Sequence, residues 1–401
     1  MPTDAPPPLT RRHLLALAAA AGAVAVGVPI RPAMARAADD RKGFFDAGKV
    51  LALDLTIAKE DMDSLRRDGR KFVKCQVKED GGKEEGGRDY DDVGVRIKGS
   101  AGSKRSVDEK PALTFNADEF EEGQLFHGMG KLHLNNCAQD ASYVSEMLAG
   151  EMYRAAGVPA SRFGHATVTL NGRKLGLFAL KEGYDRGFLM GAFGSNNGNF
   201  YDGGFLRDID VPAEVSGGKG DAKDQPELKS LVEVSKEADK NRRFERMNRR
   251  IDVDKFVSYL ALQMLTWDWD GYPTQRNNYR IYHEPKTDKL TWIPSGMDQL
   301  FGEPNGPLFP NYGGLVARAF IETPEGRKRY LARVGELLDG DGFSPDRWSK
   351  RLDELLDRVR PALESVDKGA ALGLPGQFDR LRNGIKQRAK KIGDELKNTK
   401  A

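Results

Sequence analysis

The sequence is short of the residues from which disulfide scaffolds and zinc centres are made. Cysteine occurs twice in 401 residues, at Cys75 and Cys137. Two thiols allow one bridge or none, and neither makes a disulfide framework. Besides His13, the histidines are His127, His133, His165 and His283, without the spacing of zinc ligands, which argues against a zinc enzyme. Excess charge is missing as well. The chain carries 63 basic and 60 acidic residues, a net of +3. Arg11, Arg12, Arg31 and Arg36, set against Asp4, account for all of that excess, so the chain beyond residue 37 is balanced. Overall charge therefore gives no reason to expect nucleic acid or an anionic lipid surface as partner. The apolar run from residue 16 to 30 is shorter than the ~20 residues a helix needs to cross a bilayer, and no later run is longer.

What the N-terminus does contain is an address. Thr10-Arg11-Arg12-His13-Leu14-Leu15 precedes the alanine-rich run, and Ala33-Met34-Ala35 and Ala35-Arg36-Ala37 follow it. Paired arginines, a mildly apolar stretch and a small-x-small site form the layout of a cleavable twin-arginine (Tat) signal. Residues 1–37 are assigned to it, with the Tat translocase as partner. The remainder is expected in the periplasm, in the cell envelope or outside the cell, without stable membrane insertion after cleavage. Its length exceeds a typical single core. An α+β fold is expected, with a β-rich N-terminal lobe over 45–183 and a helical C-terminal lobe over 184–401.

Hydrophobic alternation predicts strands over 50–57, 71–77, 93–98, 110–115 and 131–134, with a short helix over 59–67. The charged, glycine-rich stretch 78–92 reads as a solvated turn. A helix over 142–156 is stopped by Gly157 and Pro159. Strands over 165–170 and 175–180 flank Asn171-Gly172, the strongest two-residue hairpin signal. After the connector Lys181-Glu182-Gly183 the pattern changes. Helices are expected over 185–193, 228–248 and 253–267, and 208–225 reads as a structureless segment. A second hairpin pairs 278–283 with 289–294. Amphipathic helix fills 323–397, broken at 339–344 and 373–376.

The sharpest cluster of chemistry spans 267–302. Asp268 and Asp270 lie where an apolar helix ends in a Gly-Tyr-Pro loop that looks mobile. Asn277 and Asn278 open the second hairpin and Asp298 follows its exit. Because a hairpin returns the chain to its start, Asp298 is expected near Asn278 and the Asp270 loop. Carboxylates and an amide at one mouth are hard oxygen ligands suited to Mg²⁺. Each residue taken singly is accounted for equally well as a turn cap. Protein kinases use the same arrangement: an Asp on a loop positions the acceptor, an Asn before a strand binds metal, and an Asp after the returning strand binds Mg²⁺.

At these residues the chain resembles the spore-coat-protein-H (CotH) kinase family. The resemblance is carried by Val95-Arg96-Ile97-Lys98-Gly99-Ser100, Leu170-Asn171-Gly172-Arg173-Lys174-Leu175-Gly176-Leu177 and Gly198-Asn199-Phe200-Tyr201. Trp269-Asp270-Gly271-Tyr272, Asn277-Asn278-Tyr279-Arg280-Ile281-Tyr282 and Ile293-Pro294-Ser295-Gly296-Met297-Asp298, then Phe301-Gly302, continue it in the family's order. It implies an atypical protein-kinase-like two-lobed fold, ATP with Mg²⁺ (or Mn²⁺), and phosphate transfer to an exported or envelope protein. It places the acceptor-side role on Asp270 and metal binding on Asp298 and Asn278. The phosphate-facing lysine is expected at Lys110, or else Lys98, paired with Glu146 or Glu151. Trp292 is the candidate for stacking on adenine, and backbone groups of the Lys181 connector for reading its edge. The sequence also departs from the family. Ser295-Gly296 stand where the resemblance implies Trp-Asp, and Ser145 and Met147 stand where basic residues are expected. Those losses favour a second reading, a catalytically inactive envelope or coat assembly protein. A third reading is a Ca²⁺- or carbohydrate-binding surface protein.

Overall fold

The computed structural model describes residues 30–100, 102–217 and 224–400. Arg11 and Arg12 lie outside the described residues. The first described element, α1 (Ile30–Ala47), runs unbroken through Ala35 and Ala37. Its later turns dock on the strands that follow: buried Arg41 donates to the Gly128 carbonyl at 2.7 Å, and Phe44 and Phe45 pack on the β core.

Seven strands close into a barrel rather than an open β layer. They are β1 (Val50–Thr56), β2 (Val73–Glu79), β3 (Arg88–Lys98), β4 (Ala112–Asn116), β5 (Lys131–Asn135), β6 (Phe163–Leu170) and β7 (Arg173–Glu182), in the order β1-β2-β3-β4-β5-β7-β6. The closing pair, β1 with β6, is parallel; the other pairs are antiparallel. Closure leaves no unpaired strand edge. Strict alternation in β1 and β2 sends Leu51, Leu53, Leu55, Val73, Cys75 and Val77 inward, where they meet Leu113, Leu132, Leu134 and Phe178. The stretch 78–92 is only partly turn: β3 already begins at Arg88, and its buried Tyr90 makes the charged run a strand with a wet outer face. Helix α2 (Lys59–Arg67) covers the barrel with Met62 and Leu65. Both cysteines are free, Cys75 inside the barrel and Cys137 half-buried at its edge.

Helix α3 (Ser145–Ala155) lies between β5 and β6 in sequence, but Leu148, Met152 and Tyr153 bury themselves in a second, largely helical core. While α4 (Arg186–Phe193) packs Phe188 and Leu189 in a smaller cluster with Phe200, Tyr282 and Ile293, that core is built by α5 (Pro226–Ser235), α6 (Lys240–Arg250), α7 (Val253–Leu265), the single turn α8 (Tyr272–Gln275), α9 (Leu315–Ile321), α10 (Pro324–Asp339), α11 (Pro345–Val366) and α12 (Lys368–Lys400). A four-stranded sheet joins it, in the order β11-β10-β8-β9. Its members are β8 (Asn199–Asp202), β9 (Glu214–Gly217), β10 (Tyr279–Glu284) and β11 (Lys289–Pro294). Strand β9 falls in the segment read as structureless. The break expected at 373–376 is absent: α12 continues through Pro375. Ala371, Leu374, Phe378 and Leu381 are buried in the helical core, and that burial outweighs the one hydrogen bond a proline removes. Among the described residues, no helix is long and apolar enough to cross a membrane.

Candidate active site

Strand alternation explains the roof of the cleft. Cross-strand partners Lys98 and Ala112, Asn135 and Ala179, and Lys181 and Phe163 put these side chains on one outward patch of the barrel. Opposite them lie α3 and the loops around β10 and β11. The space between is about 650 Å³ and is lined by Lys98, Glu146, Lys181, Asp270, Asn278, Arg280 and Asp298 among others.

The centre of the cleft is a chain of side chains. Lys181 Nζ donates to Glu146 Oε1 at 2.8 Å. Asn135 Nδ2 donates to Glu146 Oε2 at 2.6 Å, and Lys98 Nζ donates to Asn135 Oδ1 at 2.6 Å. Burial opposes the charge on Glu146. Lys181 and Lys98 beside it, with hydrogen bonds from Lys181 and the Met297 backbone N–H, prevail and hold it below the ordinary glutamate range. Glu146 therefore ties two barrel strands to the segment that carries Asp298. Burial, then the neighbouring Lys181, lowers Lys98 to about 8.

The opposite wall carries the acids. Asp270 Oδ2 accepts hydrogen bonds from Asn277 Nδ2 at 3.0 Å and Asn278 Nδ2 at 2.9 Å. Among the described residues its Oδ1 has no protein donor. The loop, expected to be mobile, is anchored: Tyr272 is fully buried, its hydroxyl donating to Asp208 at 3.2 Å and accepting from the Val316 N–H at 3.0 Å. Gly271 is required here, since a Cβ would lie 1.7 Å from Gln263 Oε1. Asp268 is buried beneath the loop and accepts from Gln263 Nε2 at 2.9 Å. Burial, then repulsion from Asp270 and Asp298, pushes it up to about 8. Burial, then Glu146 and Asp140, pushes Asp298 up to about 7.

Several expected roles fall elsewhere. Lys110 does not reach Glu146; its ammonium lies over the rings of Tyr143 and Phe178, 5.2 and 4.9 Å from their centroids. Lys181 takes the ion pair instead. Glu151 faces away and holds Arg351 with two 2.8 Å bonds. Trp292 is fully buried against Phe256 and Tyr272 in the helical core, so its indole is not a wall of the cleft. Met147, Phe163, Ala112 and Ala179 supply the apolar lining there. The N–H groups of Glu182 and Gly183 are already bonded to the Arg162 and Lys131 carbonyls, at 2.9 and 3.0 Å. The connector thus presents a side chain to the cleft, while these two amides are engaged in the barrel. Asn135 had no part in the sequence reading, and Arg280 entered it only within the motif 277–282, without a role. The signal for Asn135 was its register, on the same barrel face as the lysine that follows the apolar run 177–180 of β7.

Residues 95–392 match the family described as CotH kinase protein. The chain belongs to that family. The Inner spore coat protein H of Bacillus subtilis (strain 168) is 22% identical over 299 residues, 69% of this chain and 81% of that one. The Spore coat protein homolog 1 of Rhizopus delemar is 20% identical over 235 residues, 52% of this chain but only 38% of its own. Among solved structures, the Helicobacter pylori proinflammatory kinase CtkA matches 68% of this chain and 91% of its own, at 11% identity and a TM-score of 0.29. The HipA–HipB operator DNA complex of Shewanella oneidensis MR-1 matches 86% of this chain and 74% of its own, at 12% identity and a TM-score of 0.34.

A CotH-type kinase implies a divalent ion, and the residues present fit one held mainly by phosphates. Among the described residues no three His, Cys, Asp or Glu side chains gather as a cage. Burial, then repulsion from Glu146 and Asp140, raises Asp298 to about 7, and a bound cation relieves that repulsion. Asn278 Oδ1 lies beside Gly296, within 2.5 Å of where a Cβ would be. One carboxylate and one amide oxygen suit Mg²⁺, which keeps several waters and takes its other ligands from substrate phosphates.

Proposed function

We propose that this chain is an exported kinase that transfers phosphate from ATP, with Mg²⁺ or Mn²⁺, to a hydroxyl of another exported or envelope protein. The observation that carries the reading is the buried Lys181–Glu146 pair facing, across one cleft, an aspartate held by two asparagines. Lys181, Lys98 and Arg280 supply positive charge to phosphate oxygens. Asp270 orients the acceptor hydroxyl with Oδ1 and takes its proton, as the hydroxyl oxygen bonds to the γ-phosphorus and the bond to the β–γ bridging oxygen breaks. Asp298 and Asn278 would hold the divalent ion, which would neutralise charge on the transferred group. The two compartments, barrel and helical core, would act as the two lobes of a kinase. The Arg11-Arg12 signal supports export through the Tat translocase, and the names of the two relatives point to a coat or envelope setting.

Gly296 favours a second reading. Its φ of +64° suits glycine, and an aspartate there would press on Asn278. The absence of an acid at this position supports an inactive assembly protein. Incubating the protein lacking residues 1–37 with labelled ATP and Mg²⁺ or Mn²⁺ separates the two. Label on protein supports the kinase; nucleotide binding without transfer supports the silent relative. Export is tested apart, by replacing Arg11 and Arg12 with lysine and looking for retained precursor.

A further inference from the structure

A second concavity lies behind the Gly/Ser loop of the cleft. It is about 640 Å³, formed by the end of α2, the turn after it, the end of β3 and the segment 104–107, and it meets the catalytic cleft at Lys98 and Gly99. Its walls are basic to a degree that the balanced chain does not predict. Arg67, Arg70, Arg96, Lys104 and Arg105 line it, with Asp68 as the acid among the lining residues. Arg66 is occupied, bonded to Asp63 at 2.6 Å and to Asp108 at 2.8 Å. The other five form no salt bridge among the described residues. Two of them are held in place: Arg96 lies over the Phe72 ring, 4.8 Å from its centroid, and Arg105 donates to the carbonyls of Gly102 and Lys104 at 3.1 and 2.8 Å. Asp68 is turned to its own loop, accepting from the Arg70 N–H at 3.0 Å.

Uncompensated cations in a concave wall focus field lines and raise the local concentration of anions. Pre-oriented guanidinium groups pair with carboxylates and phosphates through two parallel hydrogen bonds. We propose that this groove binds an anionic stretch of the polypeptide substrate and so delivers a neighbouring hydroxyl to the cleft. The inference rests on the kinase reading for its consequence but not for its binding chemistry. A peptide fits better than a nucleic acid: none of the described lining residues is aromatic, and nearby Phe72 is covered by Arg96, so bases have no open platform for stacking. The anion is a carboxylate side chain or a phosphoserine left by an earlier round of transfer; the two share one recognition chemistry.

The test uses the protein lacking residues 1–37 and three fluorescein-labelled Gly/Ser peptides of equal length: one with alternating glutamates, one with alternating phosphoserines, and one uncharged. An oligothymidylate of matched charge is the fourth probe. Fluorescence anisotropy is expected to show binding of one or both anionic peptides at least about tenfold tighter than the uncharged one, weakening as salt rises. The tighter of the two identifies the source of the anion. The triple variant Arg67→Glu, Arg70→Glu, Lys104→Glu should lose about tenfold or more in that affinity while its melting temperature stays close to the parent's. The corresponding glutamine triple serves if the reversal does not fold. Equal affinity for charged and uncharged peptides, tighter binding of the oligonucleotide, or unchanged affinity in the folded triple would overturn the proposal. Peptide binding without phosphate transfer would sink the kinase reading alone; transfer without selective peptide binding would sink this one alone.

Discussion

Lys181 Nζ and Glu146 Oε1 lie 2.8 Å apart, with side-chain exposures of 5% and 10%. A pair buried this deeply is costly to break from one side, because the remaining charge stays buried and loses its nearest counter-ion. Lys181→Met should destabilise the fold by ~3–5 kcal/mol and abolish phosphate transfer. The double variant Lys181→Met, Glu146→Met should recover much of the stability and none of the transfer. Thermal melts beside a phosphate-incorporation assay read both quantities. Transfer surviving in the double variant would remove this pair from the mechanism.

The two acids of the opposite wall should fail differently. Asp298→Ala removes the proposed metal ligand, so metal-dependent nucleotide binding should disappear. Asp270→Asn preserves the size of the side chain. Nucleotide affinity should hardly change, while transfer falls by ~10²–10⁴, the usual contribution of a positioned acid–base group. Titration with nucleotide and a transfer assay on each variant distinguish these outcomes. Mild, equal effects would favour the silent relative.

Asp268 gives a stability test with a sign. Its carboxyl is raised to about 8 by burial first, then by Asp270, Asp298 and Glu146, against ~3.9 in an unfolded chain. Between those values the folded protein keeps a proton that the unfolded chain has released. The stabilisation from this group is therefore fully present below about pH 4, declines as pH rises, and is gone above about pH 8. Asp268→Asn keeps an acceptor for Gln263 and loses the charge. Its melting temperature, taken without nucleotide or metal, should exceed the parent's by several degrees near pH 8 and match it near pH 4. Equal shifts at both pH values would refute the assignment.

Trp292 offers the converse case, a residue that looked functional and is structural. Trp292→Phe should lower the melting temperature, because the buried indole leaves a void between Phe256 and Tyr272. Nucleotide affinity of the folded variant should stay that of the parent. A selective loss of affinity would return the indole to the site.

The sequence made visible whatever depends on local pattern. Both hairpins, the apolar helix α7 and the Asp270–Asn278–Asp298 group follow from alternation, turn residues and short loops. What escaped depends on register around a closed barrel. Lys110 and Lys181 both sit on strands or at their ends, and only the pairing of β7 with β5 shows that Lys181 shares a face with Asn135 above Glu146. The depth of Trp292 was hidden for a related reason. Its alternation in β11 is clear, but which face of that strand meets a helical core is decided by elements far away in the chain. Pro375 misled because a local helix-breaking signal is weaker than the burial around it.

One cation sits far from all of this. Arg388 on α12 is fully buried beside Trp267 and donates to the backbone carbonyls of Met264, Leu265, Pro304 and Gly306. Two oxygens at the root of the Asp268–Asp270 loop, and two from the segment 304–306, thus depend on a residue 124 positions after Met264. During synthesis at ~5–20 residues per second, that root waits on the order of ten seconds for the guanidinium that closes it. The newborn chain therefore passes through an interval in which both lysines and the loop exist but the floor beneath them does not. The floor of the candidate site is completed only when the ribosome has nearly finished.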